Sequence, residues 1–336
     1  MRPPWEVKRE WRTKHDEESY PSYGTKPRCR SIEDYLNYGI INLDKTSGPT
    51  SHEIVAWVKR ILHIDHAGHG GTLDPRVTGV LPIALGDATK VLRTLLHTGK
   101  EYICVMRLHD EVEQNRINAI LAEFVGVIYQ KPPLRSSVKR VVRQRRIYYL
   151  DVLEYSGRRV LFRVGCQAGT YIRKLIYDVG ESLGTGAHME ELRRTRVGTF
   201  TEDENLVSLY DLAAAYDAWT KTGDESLLRR VVQPIENAFK ILPKIYIRDS
   251  AVDAICHGAK IAIPGISQLE TGIDIKDTVG LLTLKGEIVA LARATMSTEM
   301  IMEKQHGIAA ATLRVIMKPG TYPKLWKSHD DGKQET

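Results

Sequence analysis

A change of period inside GIINLDKTSGPTSHEIVAWVKRIL, residues 39–62, limits the folds open to this chain. The segment opens on a short apolar run and crosses Gly48 and Pro49. It then places Ile54, Val58, Ile61 and Leu62 at helical spacing. Thr50 and Glu53 stand three apart, the spacing at which side chain and backbone cap each other at a helix start. A strand, a loop and an amphipathic helix are therefore expected where the folded body begins. Before Tyr38, Pro3, Pro4, Pro21 and Pro27 mix with charges of both signs and with Trp5, Trp11, Tyr20 and Tyr23, without a period. Residues 1–37 read as an extended arm whose aromatics dock on folded surface.

Strands are expected at 102–108, 147–154 and 159–166, then a helix at 171–183 burying Ile172, Leu175, Ile176, Val179 and Leu183. Past Pro234 and Pro243 the pattern becomes short strands broken by Gly258, Pro264, Gly265, Gly272, Gly280 and Gly286, a small β-rich second domain. Within it LLTLKGEIVALA, with Lys285 and Gly286 between apolar runs, has the form of a hairpin.

With 336 residues, 42% hydrophobic and 27% charged, the chain can bury two cores and is not a mostly disordered or fibrous sequence. Cys29, Cys104, Cys166 and Cys256 lie far apart with no CxxC pair, which suggests neither a zinc site nor a disulfide framework and fits a reducing, cytoplasmic setting. The start MRPPWEVKREWR has no apolar signal core, and no apolar run approaches the ~18 residues of a membrane span. A net charge of +6 argues little for nucleic acid. Its distribution argues more, because KPPLRSSVKRVVRQRR holds Lys131, Arg135, Lys139, Arg140, Arg143, Arg145 and Arg146 without one acid.

The densest chemical signal is HIDHAGHGGTLDPRVTGVLPIALGDATK, residues 63–90. Gly68, Gly70 and Gly71 fit neither GxGxxG nor GxxxxGK[ST], which weakens a nucleotide loop. His63, His66 and His69 with Asp65 and Asp74 could ligate a metal only on a helix that those glycines disfavour. In a third reading the glycines and Pro75 hold Asp74 rigidly out of a loop, as a nucleophile or base requires. The residues alone leave these readings open beside a fourth, an ordinary loop Asp capping the next element.

GHGGTLDPRVTGVLPIALGDATK, preceded by LDKTSGPTSHE, resembles the catalytic motif of the TruB family of pseudouridine synthases. GKEY at 99–102, KPPLRSSVKR at 131–140, GTYIRKL at 169–175 and GAHMEELRRTRVG at 186–198 resemble further family motifs in the same order. The resemblance covers about 38–212 and is closest to the guide-RNA-dependent branch, archaeal relatives of dyskerin that form the catalytic subunit of box H/ACA ribonucleoproteins. The short 102–132 region, the arm and the PUA-like IYIRDSAVDAICHGAKIAIPGI favour that branch, and the lack of a lysine-rich tail favours its archaeal form. Ser137 stands where members commonly have Ala, and Leu134-Arg135 lacks the aromatic of bacterial members.

The resemblance implies a mixed α/β (α+β) catalytic domain with a largely antiparallel sheet and a small β-barrel-like PUA domain. The expected division is an arm at 1–37 docked on the PUA domain, a catalytic domain at 38–240, a PUA domain at 241–321 and a loose tail at 322–336. It implies uridine isomerisation in RNA, with guide RNA, target RNA and companion ribonucleoprotein subunits as partners, and neither cofactor nor metal. Asp74 would be catalytic, Arg173 would pair with it and Tyr102 would stack on the uracil. Tyr171 and Leu192 would line the base pocket, and His69 would contact the target strand where the base is turned out. The basic run, with Arg193, Arg194 and Arg196, would neutralise RNA phosphates, and His257 to Lys260 would be a PUA contact loop. Two routes stay open for Asp74: covalent attack at C1′ or removal of a sugar proton.

Overall fold

The computed structural model describes residues 3–132 and 139–325. The chain divides into two compact units, one built from 3–7 and 40–233, the other from 8–39 and 234–325.

In the first unit the main sheet runs in the order Gly39–Lys45, Thr78–Leu85, Ala187–Val197, Lys100–Leu108, Arg159–Cys166, Arg143–Ser156, Gly126–Gln130. Its neighbours pair antiparallel, except that Thr78–Leu85 meets Ala187–Val197 in parallel. That contact is unusually close. Gly79 has φ +101°, and a Cβ there would lie 2.2 Å from the Arg194 carbonyl oxygen, so only glycine allows it.

The helix Ser51–Leu62 begins with both bonds of the expected capping box and buries Ile54, Val58 and Leu62, with Ile61 half-buried at the margin. The helix Ile172–Leu183 buries all five residues its period selects. They pack on Cys104, Met106, Phe162 and Val164 from the sheet. The strand expected at 147–154 is longer, because Arg143 to Arg146 are drawn into the ladder by Gly126–Gln130, with Gln130 opposite Arg143.

The arm is divided, where the sequence had suggested a single piece along the second domain. Trp5 belongs to the first unit, edge-on to Tyr148 at 5.8 Å and beneath the Arg196 guanidinium at 5.4 Å. Trp11–Thr13 instead adds an antiparallel edge strand to Ile266–Glu270 in the second unit.

The second unit is a curled, half-barrel sheet of seven strands among the described residues. The expected hairpin joins Thr278–Thr283 to Ile288–Ala294, with Gly286 at φ +85° in its turn. Ile245, Val252, Ile266, Leu281, Val289 and Ala310 fill its interior. Among the described residues no helix is long and apolar enough to cross a membrane.

Candidate active site

Asp74 sits in the loop between the strands Ala67–His69 and Thr78–Leu85, more than half exposed, yet the peptides around it are held by buried side chains. The Ser51 hydroxyl accepts from the Leu73 N–H at 2.9 Å and donates to the Leu73 carbonyl at 3.3 Å. Lys45 Nζ donates to the carbonyls of Thr46, Pro75 and Val77 at 3.0, 2.8 and 2.9 Å. The Asp74 carbonyl accepts from the Val77 N–H at 3.0 Å, closing a turn through Pro75. Burying ammonium and hydroxyl groups this completely costs several kcal/mol unless their donors are satisfied, and here the loop carbonyls satisfy them.

Arg194 contradicts the expectation of a phosphate contact. It is 1% exposed, and its guanidinium donates to the carbonyls of Val80 at 2.8 Å and Gly71 at 3.0 Å. The run Arg193-Arg194 lies on a strand, where successive side chains point to opposite faces, so Arg194 turns inward beneath the Asp74 loop. Arg193 is committed as well, paired with Asp44 at 3.0 Å and Glu202 at 2.7 Å. Arg196 covers Trp5.

Arg173 comes from the first turn of the helix Ile172–Leu183 and reaches Asp74, Nη2 to Oδ2 at 2.5 Å. Tyr171, at the N-cap of that helix, is half-buried and has no capping side chain. Its peptide is held from another strand instead. The Gln130 amide oxygen accepts from the Tyr171 N–H at 3.0 Å, and the Gln130 amide nitrogen donates to the Tyr171 carbonyl at 3.2 Å.

Tyr102 is opposite Arg194 in the ladder, with Leu192 two residues further along the same strand. Both are partly buried and pack on the first unit's core. Burial, with smaller contributions from Cys166 and Asp74, raises the Tyr102 hydroxyl above its usual range against the opposing pull of Arg194, so the phenol stays protonated at neutral pH. His69 accepts from the Gly71 N–H at 3.3 Å and meets the His52 ring edge-on at 5.1 Å. Burial, then His52 and Arg194, lower its pKa, which keeps the ring neutral. Lys100, 6% exposed, caps the carbonyls of Leu95, Leu96 and Thr98, and burial beside Arg194 brings it down to about 7.

Of the basic run, Arg135 lies outside the described residues, as do Leu134 and Ser137. Lys131, Lys139 and Arg140 are exposed. Arg145 is tied to the Gly169 carbonyl at 3.0 Å, while Arg143 and Arg146 are half-buried on their strand. In the second unit His257 and Lys260 are exposed, and His257 Nδ1 contacts the Asp253 carbonyl at 2.8 Å. Sequence reasoning missed Lys45, Ser51 and Gln130. Lys45 and Ser51 stand inside the LDKTSGPTSHE motif, a signal that was available, whereas nothing in the sequence marked Gln130 as buried.

The arrangement presents one carboxylate, oriented by a guanidinium, on a loop whose backbone is pinned, with a neutral phenol nearby. That suits stabilisation of positive charge on a substrate from a pre-set position.

Several known families match. A model described as TruB family pseudouridylate synthase (N terminal domain) matches residues 59–116 and 109–172, and one for the tRNA pseudouridylate synthase B C-terminal domain matches 173–240. A PUA domain matches 243–316, and a DKCLD (NUC011) domain matches 4–55. A probable tRNA pseudouridine synthase B of Methanopyrus kandleri is 56% identical over 96% of this chain and 95% of its own. Its counterpart in Pyrococcus abyssi is 54% identical over 96% and 97%. Among solved structures, a chain of a Cbf5-Nop10-Gar1 complex is 52% identical with a TM-score of 0.92, covering 96% of this chain and 98% of that one. A chain of an H/ACA ribonucleoprotein bound to a substrate RNA containing 2'-deoxyuridine is 50% identical with a TM-score of 0.91, covering 96% and 99%.

Proposed function

The chain belongs to the TruB family of pseudouridylate synthases, and from that premise we propose that it isomerises uridine to pseudouridine in ribosomal RNA under the direction of a box H/ACA guide RNA. The single observation that carries the chemistry is the Asp74–Arg173 pair on its pinned loop. In this reading the N1–C1′ bond of the target uridine breaks, the uracil turns, and C5 bonds to C1′. C5 then loses its proton and N1 gains one. The Asp74 carboxylate stabilises the positive character at C1′ while the base is detached, and Arg173 keeps that carboxylate ionised and aimed. Tyr102, neutral, stacks on the uracil beside Leu192 and Tyr171, and His69 lies against the strand from which the base is turned out. The isomerisation involves no net oxidation or reduction and passes no group between molecules, so the chemistry calls for no cofactor.

The guide-directed part is supported by likeness to chains seated in H/ACA complexes with companion proteins and substrate RNA. By this reading the partners are a guide RNA, a target RNA and those companion subunits, and the setting is the cytoplasm. We assign 38–240 to catalysis, 241–321 to a PUA domain that anchors the guide, and 1–37 to an accessory arm; the TruB models match within 59–240 and the PUA model 243–316, while the DKCLD model, at 4–55, runs past the end of that arm. Phosphate contacts fall to Lys131, Lys139, Arg140, Arg143, Arg145 and Arg146, with His257 and Lys260 in the second unit.

A second reading, a stand-alone transfer-RNA synthase, is favoured by the names of the relatives. Assaying the full chain on RNA labelled at uridine C5, with and without guide RNA and companion proteins, separates the two. Release of label that depends on the guide supports the first. Equal release from transfer RNA without a guide supports the second.

A further inference from the structure

We infer that Gln130 is a positioning residue for the isomerisation, setting the start of the helix that carries Tyr171 and Arg173; this deepens the functional reading above and rests on it. Gln130 is the last residue of the edge strand Gly126–Gln130 and is 2% exposed, although glutamine is mostly a surface residue. A buried primary amide needs partners for both its oxygen and its nitrogen. Here both are met by the backbone of one residue, Tyr171, 41 positions away. Two bonds to the N–H and C=O of a single residue fix its place and its orientation together.

That residue is a sensitive one. Tyr171 is the N-cap of the helix Ile172–Leu183 but caps nothing with its own side chain. The turn before it passes through Gly169 at φ +76°, whose carbonyl is held by Arg145. Gln130 therefore satisfies the N-cap residue's own N–H from across the fold, the part that an N3 side chain plays in a capping box. Two residues on, Arg173 is 61% exposed, so its side chain has few neighbours to confine it and its reach to Asp74 depends on where its backbone lies. The same device serves the other partner, since Ser51 brackets the Leu73 peptide directly before Asp74. Each half of an exposed pair is thus aimed by a buried clamp on the chain just ahead of it.

The clamp's loss would act on geometry more than on folding. The helix stays anchored through Ile172, Leu175, Ile176, Val179 and Leu183. Freed of Gln130, its first turn can drift, and a misplacement of about 1 Å at a reacting group costs roughly 100-fold in rate.

The test uses the full chain assembled with guide RNA and companion proteins, acting on target RNA labelled with tritium at uridine C5, under single turnover. In Gln130→Glu an ionised carboxylate still accepts from the Tyr171 N–H but faces the Tyr171 carbonyl without a proton. Protonated, it reproduces the amide's donor and acceptor, and burial favours that neutral form. At about pH 8.5 the variant's rate constant is expected about 10- to 100-fold below wild type, with RNA affinity within about twofold. The ratio of variant to wild type should then climb about tenfold as pH falls to about 5.5. Gln130→Met, of similar length without polar atoms, is expected to be slow by the same 10- to 100-fold at every pH. Wild-type rate constants in folded Gln130→Met at any pH, or in folded Gln130→Glu at about pH 8.5, overturn the inference. So does a Gln130→Glu ratio that is flat with pH, or a loss explained wholly by weaker RNA binding. Failure of both variants to fold, judged by circular dichroism, makes Gln130 a folding residue and overturns it too. Absence of turnover by wild type would instead overturn the functional reading, and this inference with it.

Discussion

The Arg173 guanidinium meets the Asp74 carboxylate at 2.5 Å across 99 positions of sequence, with 61% and 54% of the two side chains open to solvent. A pair so exposed contributes little to stability, about 0–1 kcal/mol. Its value lies in aim, and the aim comes from the buried groups underneath. Asp74→Asn is nearly isosteric and is expected to abolish tritium release, by about 1000-fold or more, while RNA affinity and melting temperature hold. Arg173→Lys, which keeps the charge but loses the fork, should fall about 10- to 100-fold. Substantial turnover by a folded Asp74→Asn protein would remove Asp74 from the mechanism.

Arg194 should behave as a structural residue and not as an RNA contact. Arg194→Met strands the carbonyls of Val80 and Gly71. We expect a loss of about 2–6 kcal/mol in urea unfolding, at about 1–3 kcal/mol for each of the two unpaired buried groups. The slope of log RNA affinity against log salt should not move. A flatter slope with unchanged stability would return Arg194 to the phosphate-binding set.

The opposite signature is expected at the base of the basic run. Replacing Arg143, Arg145 and Arg146 with Ala should flatten the salt slope by up to about 2–3, at close to 0.7–0.9 per phosphate contact. Preference among target sequences should stay as it was, because phosphate contacts carry no base information. Arg145 also holds the Gly169 carbonyl, so Arg145→Ala alone should slow turnover as well as weaken binding. An unchanged slope would make the run a solvated face.

Acid should weaken the first unit through His69. Its pKa is lowered in the folded protein by burial, His52 and Arg194, whereas an unfolded histidine titrates near about 6.5. Between those two values the unfolded chain binds more protons, so stability rises with pH there. The contribution of His69 is complete above about 6.5 and is lost as pH falls through the folded value. The melting temperature of wild type should therefore drop more steeply than that of His69→Asn between about pH 6.5 and 5. Parallel curves would show that His69 is not the group responsible.

Sequence by itself determined the elements, and through family resemblance it pointed to the loop of Asp74. Apolar spacing gave the helices Ser51–Leu62 and Ile172–Leu183, Thr50 and Glu53 gave a helix start, and Lys285-Gly286 gave the hairpin. These are local facts, set by the period of a segment and by backbone geometry at its ends. The GGTLDP and GTYIR motifs marked Asp74 and Arg173 before any contact between them was known. Only the tertiary structure decided which polar residues turn inward. Arg193 and Arg194 look alike in sequence, yet one pairs with Asp44 and Glu202 while the other is sealed beneath the loop it supports. Lys and Gln are mostly exposed residue types, yet Lys45 and Gln130 are buried because backbone partners wait for them on segments 30 and 41 positions away. Burial of a charge or an amide is tolerable only where such partners exist, and their positions depend on how the whole sheet assembles.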